Sequence, residues 1–379
     1  MPGSFRIARV LGIDVRIHIS WILIFILFTT QQSQVFDSEY PSWSGLKSTA
    51  VAAITALLFF TSVVLHELAH SVIARVFRMP VSSITLFLLG GVASLTKEPS
   101  SAKAEFSMAA AGPLTSLVIG GSALGLTLVL QHPQRDTAEQ VLRAVSNSLG
   151  WINIQVALFN LIPGFPLDGG RVLRSAIWAV GHQRSRATRI AARGGQLFAV
   201  LFVIAGAYLF FNGEPTGLWF GLIAYFLYGA ASQTLTQDRV TTALDGVRVR
   251  QLMATDFRPV PPTMSVAMLV RDVMLPHNLR AVPVTAGDRM LGVVTAGDLR
   301  KFEQDQWSTA TVESVMSSSR DLQPLSPDDP LTAALERFSE NELPLLPVVD
   351  RGSLVAVLYR DAVMGYVRMR DMLGFDPRR

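Results

Sequence analysis

The segment Val64-Leu-His66-Glu67-Leu-Ala-His70 places two histidines and a glutamate in an apolar stretch of chain. On a helix, residues four positions apart share one face, so His66 and His70 can present two imidazoles to one metal ion. Glu67 lies beside them and can take a proton from a metal-bound water. Ionisable residues within an apolar span are costly and usually serve a function. The segment therefore predicts a catalytic metal centre rather than a chance pattern on a helix.

A second polar cluster offers the ligand that two histidines lack. A tetrahedral catalytic site needs a third protein ligand, with its fourth position open to water. The segment NLIPGFPLDGGR at residues 160–171 contains one carboxylate, Asp168. Pro163, Gly164 and Pro166 interrupt an apolar run there and can turn the chain inward. Alone, Asp168 would fit a helix end or a turn; beside the histidine motif, we interpret it as the third ligand.

The two ligand segments also have matching depths in the membrane. Arg75 lies five residues past His70, and Arg171 lies three residues past Asp168. At 1.5 Å per residue, both candidate ligand segments are within about one to two helical turns of the same cationic boundary. We therefore expect them to meet at one level.

These two motifs together resemble the site-2 protease family of intramembrane metalloproteases. The family hallmark is HExxH on one transmembrane helix and N-x-x-P-x-x-x-L-D-G on another, and both are complete here. The resemblance covers roughly residues 1–230. It implies one Zn²⁺ ion per chain, held by His66, His70 and Asp168, with Glu67 as the catalytic acid and base.

Two further features have open interpretations. The segment from Ser82 to Thr96 predicts two short extended stretches around Gly90-Gly91, and a loop dipping into the membrane interface is the alternative. The family has a membrane-associated β-hairpin at this location, so Gly90 and Gly91 are candidates for binding an unwound substrate strand. Asn160 is a candidate catalytic donor to a tetrahedral oxyanion. It could equally bond backbone groups that the nearby prolines leave free.

The composition places the chain in the membrane class. Half of the residues are hydrophobic and 16% are charged, whereas soluble proteins average about 25% charged residues. The formal net charge is +4, and the cationic residues lie in particular loops, which indicates membrane topology rather than nucleic-acid binding. Because the chain has no cysteine, disulfides, thiolate catalysis and cysteine metal ligands are excluded.

Apolar runs at about 17–30, 50–77, 106–130, 142–165, 196–212 and 217–232 predict six transmembrane helices. Alternate loops up to residue 232 carry very different numbers of cationic residues. One set has thirteen: Arg6, Arg9, Arg16, Arg75, Arg78, Lys97, Lys103, Arg171, Arg174, Arg184, Arg186, Arg189 and Arg193. The other set has Lys47, Arg135 and Arg143. This bias predicts a multi-pass protein of the cell membrane with both termini in the cytoplasm.

Beyond residue 240, short β-branched runs alternate with amphipathic stretches, which is typical of a soluble α/β module. The region repeats itself at an offset of 63 or 64 residues: 249–253 matches 312–316, 282–284 matches 346–348, and Asp298 matches Asp361. We therefore predict a transmembrane metalloprotease domain at 1–235, a linker at 236–246, and repeats at 247–305 and 306–370.

The segment GVVTAGD at 292–298 resembles the cystathionine-β-synthase (CBS) domain, whose tandem pairs bind adenine nucleotides. In that family the threonine lies near phosphate and the aspartate near ribose. The resemblance therefore implies that Thr295, Asp298 and the matching Asp361 bind ATP, ADP or AMP. In the second repeat Leu358 replaces the threonine and a valine replaces the glycine, which puts a second site in doubt. A purely structural or dimerising pair, with Thr295 as a strand-end cap, is the alternative.

The expected fold is a multi-spanning α-helical membrane protein with about six transmembrane helices and a small membrane-associated β-hairpin. A soluble α/β tandem CBS-domain module follows, through which a homodimer could form. The resemblance implies regulated intramembrane proteolysis of single-span membrane proteins, such as anti-sigma factors, with control by adenine nucleotide. A CBS-regulated membrane transporter or channel is one alternative, because intramembrane charges can line an ion path. A catalytically inactive scaffold is another.

Overall fold

The computed structural model describes residues 3–87, 90–95, 99–130, 138–287, 289–318, 323–341 and 344–373, without the side chains of 92–95, 339–341 and 371. Leu88, Leu89 and Thr96 of the predicted hairpin lie outside the described residues, as do Lys97 and Arg135. The chain divides into two compact units, Met1–Asp238 and Arg239–Arg379.

The first unit is built mainly from long helices, with four strands near its beginning. Its elements are β1 Ser4–Val10, β2 Ile13–His18, α1 Ser20–Glu39, α2 Gly45–Val76, β3 Val81–Phe87, β4 Gly90–Leu95, α3 Ala102–Val129, α4 Ala138–Asn160, α5 Asp168–Gly181, α6 Arg184–Phe211 and α7 Gly217–Leu244, the last running into the second unit. Serine caps begin two of the helices. Ser44 Oγ accepts a hydrogen bond from the backbone N–H of Lys47, and Ser101 Oγ accepts one from that of Ala104.

A helix coincides with each of the six predicted apolar runs. Among the described helices, α2, α3 and α6 are long and apolar enough by length and composition to cross a membrane. Three spans therefore have this support, and the other three stay a prediction.

The four strands form one sheet in the order β1-β2-β3-β4. The predicted hairpin is present as β3 and β4, which pair antiparallel, while β2 and β3 pair parallel. Gly90 and Gly91 begin β4, opposite Phe87 and Leu86, so they lie in a strand and not at the turn. The sequence reading missed β1 and β2. Their connection at Leu11 (φ 50°) and Gly12 (φ 76°) is a two-residue hairpin loop with positive φ at both positions, which an Xaa-Gly pair favours.

The second unit contains two α/β repeats. Its α-helices and strands are α8 Val266–Met268, β5 Ala281–Ala286, β6 Arg289–Thr295, α9 Ala296–Leu299, α10 Val312–Val315, β7 Ser317–Ser318, α11 Leu331–Asn341, β8 Leu345–Asp350, β9 Ser353–Tyr359 and α12 Arg360–Met372, with short 3-10 helices at Val249–Gln251 and Gln304–Ser308 and a π-helix at Leu269–Met274. The β5-β6 and β8-β9 hairpins pack together through a small core of Ala281, Val293, Leu345 and Val357.

The strand registers correct the alignment of the two repeats. Ala281 pairs with Thr295 in the first hairpin, and Leu345 pairs with Tyr359 in the second, with a register shift at the same place in each. Tyr359, and not Leu358, is therefore the structural equivalent of Thr295. Asp361 consequently lies one position before the equivalent of Asp298. A match of aspartates at an offset of 63 misled the sequence alignment, because the strands themselves are 64 residues apart.

Candidate metal centre

Helix α2 brings its two histidines to one face. His66 and His70 are one helical turn apart, and their rings meet edge to face with centroids 4.8 Å apart. Both side chains are well buried, at 6% and 13% exposure. Glu67 lines the same cavities as His66. The local geometry expected from the HELAH segment is therefore present.

The helical run is interrupted immediately before Asp168. Helix α4 ends at Asn160, a run of turns follows, and Asp168 is the first residue of α5. A Cβ atom on Gly169 or Gly170 would collide with backbone atoms of that turn, so the two glycines let α5 pack closely against it. A carboxylate in the first turn of a helix is also favoured by the helix dipole. The DGG sequence thereby delivers one carboxylate to a defined point.

Three ligand atoms converge at this point. Asp168 Oδ2 lies 3.2 Å from Nε2 of His66 and 3.2 Å from Nε2 of His70, and the two Nε2 atoms are 3.1 Å apart. Two ligands of a tetrahedral zinc ion, each at about 2.0–2.1 Å from it, lie about 3.3 Å from one another. Within the described parts of the chain, this is the one cluster of histidine and carboxylate groups that could hold a metal ion.

The partner of the outer ring nitrogen of His70 leaves the inner nitrogen of that ring bare when the ring is neutral. His70 Nδ1 lies 2.7 Å from the backbone carbonyl oxygen of Met108. A carbonyl can only accept, so Nδ1 carries the proton, and a neutral ring then has an unshared lone pair on Nε2. That lone pair faces a carboxylate oxygen that also has no proton to donate when ionised. A cation between them relieves this opposition, so the donor set fits a metal ion. His66 Nδ1 is held by Ser116 Oγ at 2.9 Å.

Gly112 of α3 leaves the space that an ion would need. A Cβ atom on this residue would lie 2.5 Å from His66 Nε2 and closer still to His70 Nε2. Any side chain at position 112 would therefore fill the space in front of both nitrogens. The residues present thus fit a zinc ion in their donor types, their spacing and the room between them. The sequence analysis did not predict this role for Gly112.

Two cavities meet at the cluster. One, of about 300 Å³, is lined by His70, Asp168 and Arg171 among others. The other, of about 560 Å³, extends along α1, α2 and α4 and is largely apolar, with Phe59, Phe60 and Phe159 in its wall. Five residues line both cavities: His66, Glu67, Gly91, Asn160 and Leu167. Glu67 therefore stands where an apolar chamber opens onto the ligand cluster.

Gly91 and Asn160 lie at this junction. Gly90 is a glycine because of its backbone conformation. A Cβ atom on Gly91 would lie 2.5 Å from Glu67 Cγ, so the edge strand β4 approaches the glutamate closely. Gly90 has φ +131°, a conformation that favours glycine. The Asn160 amide makes no hydrogen bond to protein groups within the described residues, so it does not satisfy the backbone around the prolines. It faces the cavities instead.

The predicted nucleotide residues have different surroundings from one another. Thr295 caps α9: its Oγ1 donates to Asp298 Oδ2 at 2.7 Å and accepts from the backbone N–H of Asp298 at 3.2 Å. The N–H of Thr295 in turn donates to Asp298 Oδ2 at 3.1 Å. Lys301 Nζ donates to the other carboxylate oxygen at 3.2 Å. Asp361 is exposed in the first turn of α12.

The contributions of α3 could not be read from residue types. Met108 acts through a backbone carbonyl, which every residue has, and Ser116 is one serine among many. The spacing of Met108, Gly112 and Ser116 at four-residue steps is the one available signal, since it puts all three on one helix face. His18 bonds Ser20 Oγ at 2.8 Å and is not part of the cluster.

Known proteins match this chain in both its helical part and its α/β repeats. The model of peptidase family M50 matches residues 54–134 and 125–202, and the CBS domain model matches 249–305 and 312–373. The Synechocystis protein sll0528, which is named as a zinc metalloprotease, is 32% identical over 368 residues, or 96% of this chain and 95% of that protein. Rip3 of Mycobacterium tuberculosis, named likewise, is 30% identical over 374 residues, or 98% and 92% of the two chains.

The solved structure of the site-2 protease from Methanocaldococcus jannaschii is 30% identical and covers 61% of this chain and 95% of its own, with a TM-score of 0.43. The match to sll0528 over nearly the whole of both chains is sufficient to assign the family. The chain belongs to peptidase family M50, the zinc metalloproteases of the site-2 type, and carries a tandem pair of CBS domains.

Proposed function

We propose that this chain cleaves transmembrane segments of membrane proteins in regulated intramembrane proteolysis. The observation that carries the proposal is the convergence of three ligand groups beside Glu67. His66, Glu67 and His70 lie on α2, an apolar helix long enough to span a membrane, and Asp168 reaches the two histidines from α5. A metal centre in that position acts on peptide bonds that soluble proteases do not reach.

In this proposal His66, His70 and Asp168 hold one Zn²⁺ ion, and the remaining roles belong to the residues around it. Zinc supplies Lewis acidity that activates water and polarises the scissile carbonyl. Glu67 accepts the proton of the attacking water and returns it to the leaving amine. Met108 orients the His70 ring and Ser116 orients the His66 ring, in each case through the Nδ1 atom of the histidine.

The substrate enters as an unwound strand. The apolar cavity beside Glu67 suits the aliphatic side chains of a membrane segment. The edge strand β4 can supply backbone hydrogen bonds to an added strand, and Gly90 and Gly91 keep its beginning free of side chains. This arrangement exposes peptide bonds that a helix would shield.

Asn160 is our candidate oxyanion donor. Its amide lies at the junction of the two cavities and is free of hydrogen bonds to protein groups in the described part of the chain. A side-chain amide with an unused N–H group at this point can stabilise the negative charge that develops on the scissile carbonyl oxygen.

We further propose a multi-pass protein of the cell membrane with six spans and both termini in the cytoplasm. The distribution of cationic residues supports this topology, with thirteen in one set of loops and three in the other. Helices α1, α4 and α7 would add to the three that are long and apolar enough by themselves. The four-stranded sheet would then lie at the cytoplasmic interface.

Single-span membrane proteins, such as anti-sigma factors, are the proposed substrates. A Glu67→Gln variant, purified beside the wild type, tests the proposal with such a substrate in detergent or liposomes. We expect cleavage to fall about 10²–10⁴-fold, the usual contribution of a general base, while zinc content stays unchanged. Cleavage by this variant at the wild-type rate would reject the mechanism. An Asp168→Ala variant should lose both zinc and activity.

The CBS pair is proposed to bind adenine nucleotide and to adjust the cleavage rate. Thr295 and Asp298 at the start of α9 support this, because they match the residues that contact phosphate and ribose in the CBS family. Asp361 is kept as a candidate for a second site, although its position is shifted. We retain the division into a protease domain at 1–235, a linker at 236–246 and CBS domains at 247–305 and 306–370, with homodimerisation through the CBS pair.

Calorimetric titration of the full chain with ATP, ADP and AMP tests the regulatory proposal. Binding that weakens in an Asp298→Asn variant and changes the cleavage rate of the wild type is the expected result. Absence of binding by all three nucleotides would remove nucleotide regulation and leave the proteolytic proposal intact.

A further inference from the structure

A buried ion pair joins two helices next to the metal centre. Glu105, in the first turn of α3, is fully buried. The guanidinium of Arg174 on α5 donates to Glu105 Oε1 through Nε at 2.7 Å and also through Nη2. The Arg174 side chain is 12% exposed. The sequence analysis counted Arg174 among the cationic residues of the loops, but the structure places it in a helix with its side chain in the protein interior.

Arg174 also contacts the segment that leads into Asp168. Its guanidinium lies 4.9 Å from the ring centroid of Phe165, in the turn before α5. Nη1 reaches Thr188 Oγ1 of α6 at 3.5 Å. The backbone N–H of Phe165 donates to the carbonyl of Ala191, also on α6, at 3.1 Å. The Arg174 side chain thus links α5, which begins with Asp168, and the turn before α5 to both α3 and α6.

The same face of α3 sets the two histidines. Glu105, Met108, Gly112 and Ser116 follow one another at steps of three or four residues, which places them in one stripe along the helix. Met108 holds His70, Ser116 holds His66, and Gly112 leaves the space between them. Helix α3 supplies no ligand to the cluster, yet this stripe contacts the elements that supply all three.

Two buried charges are costly to remove from water, and replacing such a pair by apolar residues often stabilises a protein. Stability alone is therefore a weak reason for Glu105 and Arg174 to occupy this interior position. Their geometry instead suits the setting of register: a fork of N–H groups on a rigid guanidinium aligns α5 along α3.

We propose that Glu105 and Arg174 are positioning residues of the metal centre, which hold α5 against α3 so that Asp168 stays level with His66 and His70. The inference rests on the proposed zinc site and extends it to two residues that touch no ligand atom. Among the described residues, Arg174 is the one hydrogen-bonding partner of the Glu105 carboxylate, so the loss of either member removes the link.

The test measures zinc affinity and thermal stability together on the purified full chain in detergent. Glu105→Gln keeps the shape of the side chain and removes its charge; Arg174→Lys keeps the charge and removes the fork. Arg189→Gln on α6 is the matched control, since Arg189 is half-exposed, lies 3.9 Å from Asp238 and lines neither of the two cavities at the cluster. Zinc dissociation constants come from competition with a chelator, and melting temperatures are recorded with and without zinc.

We expect zinc to bind at least about tenfold more weakly to Glu105→Gln and Arg174→Lys, as for other residues that orient ligands, and within about twofold of wild type for Arg189→Gln. The rise in melting temperature caused by zinc should shrink in the first two variants. If both melting temperatures fall equally while the zinc constant stays at the wild-type value, the pair is merely structural and the inference is overturned. Should Glu105→Gln fail to fold, Arg174→Lys carries the same measurement.

A double variant, Glu105→Gln with Arg174→Met, separates positioning from stability further. Recovery of the melting temperature without recovery of zinc affinity supports the inference, and recovery of both overturns it. A wild-type chain that binds no zinc at all would overturn the metal centre itself and this inference with it. Normal zinc binding by every variant would overturn the positioning role alone.

Discussion

The metal cluster of the first unit and the Thr295–Asp298 pair of the second differ in whether their polar groups are already satisfied. At the cluster, Nε2 of His70, which has no proton in the neutral ring, faces a carboxylate oxygen of Asp168 at 3.2 Å, and the proton on Nδ1 is donated to the Met108 carbonyl. At the second place, Thr295 and Asp298 bond each other reciprocally in a helix cap. The first arrangement needs a metal ion, or a proton on His70 Nε2, to be complete, whereas the second is complete without a ligand.

This difference decides how strongly the geometry of each site indicates a bound ligand. Buried polar atoms with opposed lone pairs are costly, so their presence points to the ion that relieves them. A capping box satisfies backbone groups in any soluble helix and is therefore neutral about nucleotide. The zinc site is accordingly supported by the geometry itself, and the nucleotide site by the likeness to CBS domains.

Gly112→Ala should have the largest effect. It tests the first side of the comparison, namely whether the cluster holds a cation. The added Cβ atom would occupy the space in front of both ring nitrogens, so we expect loss of zinc and of activity in a folded protein. Metal analysis and a cleavage assay measure it. Gly121→Ala on the same helix is the control, because its Cβ meets nothing within 4 Å and it gains the same helix propensity. Full zinc content in Gly112→Ala would contradict the assignment of the ion position.

Asn160→Ala should lower kcat about 10²–10³-fold, the usual effect of removing one oxyanion donor, and leave zinc content unchanged. Steady-state kinetics beside metal analysis separate the two readouts. Asn153→Ala, on the same helix, serves as the control because Asn153 Nδ2 donates to the carbonyl of Leu149 in its own helix. An unchanged kcat for Asn160→Ala would leave the catalytic role without support.

Ser116→Ala should weaken zinc binding about 10–100-fold, because the His66 ring loses the partner of its Nδ1 atom. Chelator competition gives the dissociation constant. Thr115→Ala is the neighbouring control, since Thr115 Oγ1 donates to the carbonyl of Ala111 within α3. Equal zinc affinities in the two variants would mean that the serine does not orient the ring.

Thr295→Val should have the smallest effect. It tests the second side of the comparison, namely whether Thr295 serves the helix cap or a bound nucleotide. The variant loses the cap of α9, which we expect to cost about 1 kcal/mol of unfolding free energy, measured by denaturation of the full chain without nucleotide. Ser314→Ala is the control, because its exposed hydroxyl donates to the carbonyl of Thr311 in its own turn. If Thr295→Val loses nucleotide affinity but no stability, the threonine serves the ligand and not the helix.

The sequence analysis succeeded where a function depends on local spacing. His66 and His70 share a face because they are four residues apart, and the two prolines and the glycine before Asp168 predicted the break that brings it inward. It failed where contacts between residues far apart in the sequence determine the structure. The sheet that includes β1 and β2 depends on parallel pairing between residues about seventy positions apart, such as Asp14 with Ser83. The alignment of Thr295 with Leu358 failed because strand register depends on pairing partners.

By itself, the sequence determined the kind of chemistry and the residues able to perform it: two imidazoles and a glutamate on one apolar helix, and a carboxylate after a broken one. These follow from residue type and helical period, which are local properties. Only the tertiary structure decided that α3, which offers no ligand, orients both histidines and is linked to the helix of Asp168 through Glu105 and Arg174. A backbone carbonyl, the room beside a glycine and the burial of an arginine arise when helices pack, because each depends on what the neighbouring chain brings to it.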